Sequence, residues 1–188
     1  TLAVVAVSAA PSNAENSDES LIEETIVRGS YLQSSEVSAL RTPTPILDVP
    51  QSLSIVTSEE ILRRGFTSVS DIIEYLPGVS MSQGEGHRDA VVFRGVRSTA
   101  DFFIDGVKDD VQYYRPLYNL EQLEVLRGPN ALLFGRGGTG GILNRVTKKA
   151  NTDENFSQLT GYADSFGAGG LQGDVNIGLS DTVAFRVN

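Results

Sequence analysis

The chain has 188 residues, 40% of them hydrophobic, with 19 glycines, one histidine and neither cysteine nor tryptophan. Without cysteine, and with His87 as the one imidazole, a disulfide scaffold, a structural zinc site and an iron–sulfur cluster are excluded. A net charge of −9 argues against a nucleic-acid partner, whose affinity is drawn from Lys and Arg on phosphates.

The acid is concentrated toward the ends: residues 15–60 hold nine acids and two bases, 61–150 ten and twelve, 151–188 five and one. Leu2 to Ala10 is an uncharged apolar run, shorter than the about 20 residues that span a bilayer. It ends in small residues, and Ser12-Asn13-Ala14 has signal-peptidase spacing, so residues 1–14 read as the remnant of an export signal. A cut after Ala9 is an alternative, and a buried strand is the competing reading. Residues 15–45 are polar and acidic, with Thr42-Pro43 and Thr44-Pro45, the composition of a disordered tether. Within it, Glu23-Glu24-Thr25-Ile26-Val27-Arg28 carries three β-formers, either an ordinary linker or a segment able to pair with another protein's sheet edge.

From residue 46 regular elements are predicted. Leu53 and Ile55 alternate with serines over 51–56, as in a half-buried strand. Thr57 to Glu60 has the S/T-x-x-E form of a capping box and opens a short helix that stops at Gly65. A second box, Ser68 to Asp71, opens a helix with Ile72, Ile73 and Leu76 on one face and Pro77-Gly78 at its end. Strands are predicted at 90–93, at 102–104 running into an Asp105-Gly106 turn, at 123–126 and at 142–146. Short strands mixed with short helices make a compact α+β domain over 46–148.

Gly135-x-Gly137-x-x-Gly140 has the form of a dinucleotide fingerprint, but a helical patch at 130–134 precedes it and a strand follows. That is the reverse of the order a nucleotide site requires, so a loop passing close to a wall is the expected role. Over 155–188 the period becomes two: Leu159, Gly161 and Ala163, then Val175, Ile177 and Leu179, then Val183, Phe185 and Val187. Turns are expected at Gly167 to Gly170 and at Ser180 to Thr182. Three such segments have the texture of a transmembrane barrel, whose smallest form needs eight strands, so the chain is expected to be a fragment.

Seven segments carry a family resemblance: Asp48 to Thr57, Leu76 to Val79, Phe93 to Gly95, Phe103 to Val107, Leu123 to Pro129, Leu133 to Gly135, and Gly140 to Lys148. In this order they resemble the plug domain of TonB-dependent outer-membrane receptors, most of all the siderophore receptors. The resemblance implies an α+β plug, a small mixed sheet with short helices, followed at 149–188 by the first antiparallel strands of a truncated transmembrane β-barrel. It implies TonB-energised uptake of a ferric siderophore across the outer membrane, with the tether in the periplasm, outer-membrane lipid around the barrel, and iron carried only inside its chelator. A receptor for a vitamin, a saccharide or haem is the alternative.

The same resemblance assigns residues. Glu24, Thr25, Ile26 and Val27 are similar to the TonB box. Arg94 and Arg127 match arginines that latch the plug to barrel-wall acids, the competing reading being surface arginines beside turns. Gly128 and the glycine loop 135–141 are then backbone close to the wall. Ligand contacts map to the upper loops, at Gln83, Arg88, Arg97, Ser98, Tyr113, Tyr114 and Arg115, although the tyrosine pair is equally read as packed under a loop. A signalling domain ahead of the box is not expected, nor is an enzyme, since no nucleophile–base pair is recognisable.

Overall fold

The computed structural model describes residues 3–9, 36–37, 44–45, 48, 51–86, 88–98, 101–128 and 140–188. Two compact units divide the chain: residues 33–149, and residues 1–32 together with 150–188. In chain order, β1 (Ala3–Ala9), β2 (Glu36–Val37) and β3 (Thr44–Pro45) lead to β4 (Ser52–Thr57), α1 (Ser58–Arg64) and α2 (Val69–Ile73). A meander of β5 (Val79–Gly84), β6 (Arg88–Phe93) and β7 (Val96–Ser98) follows. Next come β8 (Phe102–Ile104), β9 (Val107–Lys108), β10 (Leu120–Arg127) and β11 (Gly141–Thr147). The chain continues through β12 (Phe156–Ala163), β13 (Gly169–Ser180) and β14 (Val183–Val187).

Both helices of the 33–149 unit begin at their capping boxes. Thr57 is extended and its hydroxyl accepts the Glu60 N–H at 3.4 Å, while left-handed Gly65, φ 68°, closes α1. Ser68 and Asp71 form the reciprocal box of α2, with N–H to side-chain distances of 3.2 and 2.9 Å. The second helix stops at Ile73, short of the expected Pro77. Beyond it Tyr75 N–H donates to Ile72 and Leu76 N–H to Ile73, the tightened i−3 pattern, because proline disfavours α geometry in the residue before it. Leu76 still packs against the core.

One sheet of this unit runs β4-β10-β11-β8-β9, and its β8–β11 pair alone is parallel, which makes it mixed. Val69, Ile72 and Ile73 of α2 join Phe93, Phe102, Leu123 and Leu143 in a buried cluster. Strands β5 and β7 were not anticipated. Val79 and Met81 alternate with Ser80 and Ser82 and pack on that cluster, so β5 did carry a period-two signal. A polar chain crosses the sheet as well: Gln122 and Asn144 side-chain amides donate to fully buried Glu124 at 2.7 and 2.9 Å, and Asn144 Oδ1 accepts Gly106 N–H at 3.0 Å.

Three hairpins turn on an X-Gly pair with both φ values positive: Glu85-Gly86 (57° and 76°), Arg94-Gly95 (48° and 88°) and Asp105-Gly106 (48° and 76°). Gly140 and Gly141, the described end of the glycine loop, are constrained by their own unit. A Cβ on Gly141 would lie 2.5 Å from the Leu126 carbonyl oxygen, and one on Gly140 would lie 2.8 Å from Phe93 Cβ. Their close neighbours therefore belong to their own unit. Residues 129–139, the rest of that loop, lie outside the described residues.

In the other unit the order is β1-β12-β13-β14, antiparallel throughout. The run expected to be a signal remnant pairs along β12 from Ala3 opposite Ala163 to Ala9 opposite Ser157. The first expected turn lies earlier than Gly167 to Gly170: Asp164 builds it, its carboxylate accepting the N–H groups of Phe166 and Ala168 at 2.9 and 2.8 Å. Gly170 is already in β13, where the Tyr162 ring fills the space of a Cβ. Leu159, Leu171, Ile177 and Phe185 are exposed on one face. On the other, Asp174 and Asn176 are buried, Arg186 binds Asp174 through two bonds of 2.9 and 2.8 Å, and Asn176 holds Asn151 and Glu154. Among the described residues no helix is long and apolar enough to cross a membrane, a fact that is silent on strands.

Candidate functional site

Of the sequence-assigned positions, Glu24, Thr25, Ile26, Val27 and His87 lie outside the described residues. Ser98 is described by its backbone, paired with Val91.

The β5–β6 register sets Gln83 opposite Asp89 and Gly84 opposite Arg88, so Gln83 and Arg88 stand at the hairpin's closed end. Residues 109–115, which follow β9, join that end. Asp89 N–H donates to the Tyr113 carbonyl at 3.3 Å, Arg115 N–H to the Asp89 carboxylate at 3.0 Å, and Arg88 Nη1 to Gln112 Oε1 at 2.8 Å. Arg88 and Tyr113 are thus brought together by the loop, with Tyr114 beside them in sequence, while Gln83 stands at the same end with its position on the opposite face of the hairpin from Arg88. Arg97 does not join them. It is opposite Val92, displaced along the strand toward the Arg94-Gly95 turn.

Arg115 is at the same end, but it corrects its assignment as a ligand contact. The side chain is wholly buried. Its Nε donates to Asp109 at 3.3 Å, Nη1 to the Tyr113 carbonyl at 3.2 Å, and Nη2 to the carbonyls of Asp109 and Val111 at 3.1 and 2.7 Å. The guanidinium stacks 3.7 Å from the Phe102 ring centre and 4.5 Å from that of Tyr113. Burial lowers its pKa from the ordinary value, and Asp109 pulls in the opposite direction.

The tyrosine pair divides between its two readings. Tyr113 turns inward, donating to Asp109 at 2.8 Å and accepting from Arg145 at 2.6 Å, whereas the Tyr114 ring is exposed and its hydroxyl reaches the Thr67 carbonyl at 3.5 Å. Sequence reasoning missed Asp89, Asp109, Gln112 and Arg145. No local pattern marks them: Asp89, Gln112 and Arg145 have partners 24 to 36 residues away, and Asp109 joins its near neighbours Tyr113 and Arg115 to distant Arg145 in a loop without regular structure. Burial raises the Asp89 carboxyl above its usual range, and the Arg115 N–H offsets part of that. Arg115 and Arg145 balance Asp89 and Asp109, and at the surface Arg88 and Lys108 stand beside exposed Glu85 and Asp110.

Arg94 and Arg127 stand elsewhere. Arg94 holds the left-handed backbone of its turn at φ 48° and is exposed. Arg127 is buried at the end of β10, where Nη1 and Nη2 donate to the Ser52 and Ser54 hydroxyls at 3.3 and 2.9 Å and Nε has no partner. Burial, and then the like charge of Arg94, lower its pKa from the ordinary value. Among the described residues no carboxylate pairs with either arginine. No three His, Cys, Asp or Glu among them are grouped to hold a metal.

Residues 45–142 match the family model described as TonB-dependent Receptor Plug Domain. The chain is 31% identical over 170 residues to the "Probable TonB-dependent receptor BfrD" of Bordetella pertussis, covering 86% of this chain and 22% of that protein. It is 28% identical over 191 residues to the catecholate siderophore receptor Fiu of Escherichia coli K12, covering 98% of this chain and 25% of that protein. The crystal structure of Fiu from E. coli K12, a ferric-catecholate import receptor, matches in its open form with a TM-score of 0.62 at 24% identity, over 82% of this chain and 22% of that one. This last match is a likeness of fold. The chain spans about a quarter of the length of these curated relatives.

Proposed function

Because the chain belongs to the TonB-dependent receptor plug-domain family, we propose that it gates an outer-membrane receptor that imports ferric siderophores with energy delivered by TonB. The observation that carries this reading is Arg127. A buried guanidinium is costly without a carboxylate, and here it has two serine hydroxyls, a neighbouring Arg94 and no acid among the described residues. Such a site is suited to an acid from a surrounding wall. Arg94, held at positive φ where few side chains are found, is the second half of that latch.

The alternation of β12 to β14 supports a barrel wall with lipid on its apolar face. Gln83, Arg88, Gln112 and Tyr114 support capture of an iron chelate: amide, guanidinium and phenol donate to its oxygens, Arg88 complements negative charge, and the iron stays in its chelator as cargo. Siderophore as the cargo class is supported by the name of Fiu. Glu24 to Val27 are proposed as the segment that TonB captures by strand addition from the periplasm.

Two measurements test the reading. Titration of the purified receptor with ferric catecholate, ferric hydroxamate, a vitamin, an oligosaccharide and haem is expected to give tight binding to a ferric siderophore; tight binding to another solute alone overturns the cargo. Ile26→Pro removes a backbone donor and blocks strand pairing, so uptake is lost while binding is kept. Uptake at the parent rate removes the assignment of residues 24–27.

A further inference from the structure

We propose that Arg115 is a positioning residue for ligand capture, whose buried guanidinium clamps residues 109–115 into a fixed loop and presents Tyr114 and the Arg88–Gln112 pair to the ligand. The ligand half of this inference rests on the receptor reading above; the clamp itself does not.

Residues 109–115 contain no helix or strand, so no backbone ladder fixes them. One side chain does so instead. The carbonyls of Asp109, Val111 and Tyr113, at alternate positions, all accept from the Arg115 guanidinium, and the Asp109 carboxylate accepts from its Nε. The loop is thereby closed on itself. Further bonds fix it to the sheets: Arg145 of β11 donates to the same Asp109 oxygen at 2.5 Å and to the Tyr113 hydroxyl at 2.6 Å, Asp89 of β6 accepts the Arg115 N–H and donates its own N–H to the Tyr113 carbonyl, Arg88 of β6 donates to Gln112, and Asp109 N–H donates to the Phe102 carbonyl of β8. With the carbonyls of 109, 111 and 113 tied inward, the side chains of Gln112 and Tyr114 are exposed, as is that of Val111. Burying two arginines costs more than filling this space with apolar groups, so packing alone does not account for them. A planar fork with five donors can take three carbonyls and a carboxylate at once, and an ammonium cannot. A preorganised loop also lowers the entropy lost on binding.

Arg115→Lys, which keeps the charge and removes the fork, is the central variant. This chain has no cysteine, so in a receptor with any other cysteines replaced, a nitroxide placed by Val111→Cys reports on the loop, and one placed by Tyr75→Cys serves as a control. In the membrane-embedded receptor, Arg115→Lys is expected to sharpen the spectrum at 111 into that of a mobile label and leave the one at 75 unchanged. An ordered spectrum at 111 overturns the proposal. Affinity for a ferric catecholate or hydroxamate is expected to fall roughly tenfold, about one hydrogen bond's worth. Combined with Tyr114→Ala, the loss is expected to be less than additive, because both changes remove one contact. Full additivity overturns the positioning role, and so does an unchanged affinity. If Arg115→Lys does not reach the membrane, Tyr113→Phe removes the hydroxyl shared by Asp109 and Arg145 and is expected to act in the same direction, more weakly; no effect on either readout overturns the proposal. Absence of chelate binding in the parent overturns the receptor reading, while the two spectra still decide the clamp.

Discussion

Gly141 has no room for a methyl group, since its Cβ would meet the Leu126 carbonyl and the Phe93 ring. Gly141→Ala is therefore expected to destabilise the 33–149 unit by about 1–3 kcal/mol, seen as a lower midpoint of thermal unfolding. Asp71 supplies a pH dependence of known sign. Burial pushes its carboxyl up, yet bonds from Thr67 and Ser68 outweigh this and leave it below the usual range. A pKa depressed in the folded state means stability that is present above the unfolded carboxylate value and is lost as pH falls through the folded one. Asp71→Ala is expected to cost about 1 kcal/mol at neutral pH and little in acid, checked by denaturant titration at both. Asp89 has the opposite sign: raised by burial, it opposes folding least when protonated. The sequence could offer Arg115 as a ligand contact because it shows residue type and spacing. Burial is decided by Asp89 and Phe102, distant in the chain, and no local pattern encodes it.

At the scale of elements, legibility followed the range of the forces involved. Capping boxes are local, and both helices began where Thr57 and Ser68 placed them; α2 ended early because the constraint from Pro77 acts before the proline itself. Alternation carried β4 and β12 to β14, whereas β5 was missed although Val79 and Met81 alternate with Ser80 and Ser82, because Gln83 at its end reads as part of an upper loop. The parallel pairing of Phe102 with Leu143 was illegible, since it joins strands that chain order does not bring together. The two faces of the β12–β14 sheet give an elementary test. Ile177→Arg on the apolar face is expected to cost about 2–4 kcal/mol near a bilayer midplane and to reduce outer-membrane assembly. Gln172→Arg, of opposite parity in β13, is expected to be tolerated, with protein abundance in membrane fractions as the measurement.

For the molecule as a whole, the proposed latch of Arg94 and Arg127 predicts how firmly a plug would be seated in a receptor. Arg94→Ala with Arg127→Ala is expected to loosen it and raise permeability to bulky antibiotics while siderophore affinity changes little; parent-like resistance would remove the latch. The position of β4 has a mechanical consequence. It is an edge strand, it is the first member of its sheet in chain order, and its antiparallel register sets Ser52 opposite Arg127. Tension arriving along the chain from residue 51 loads that pair before any other. Lifting Ser52 and Ser54 also removes both hydroxyls that solvate the Arg127 guanidinium. Under the proposed TonB-driven reading the strand would be a ripcord, with its leading end stitched to the clasp that it would undo.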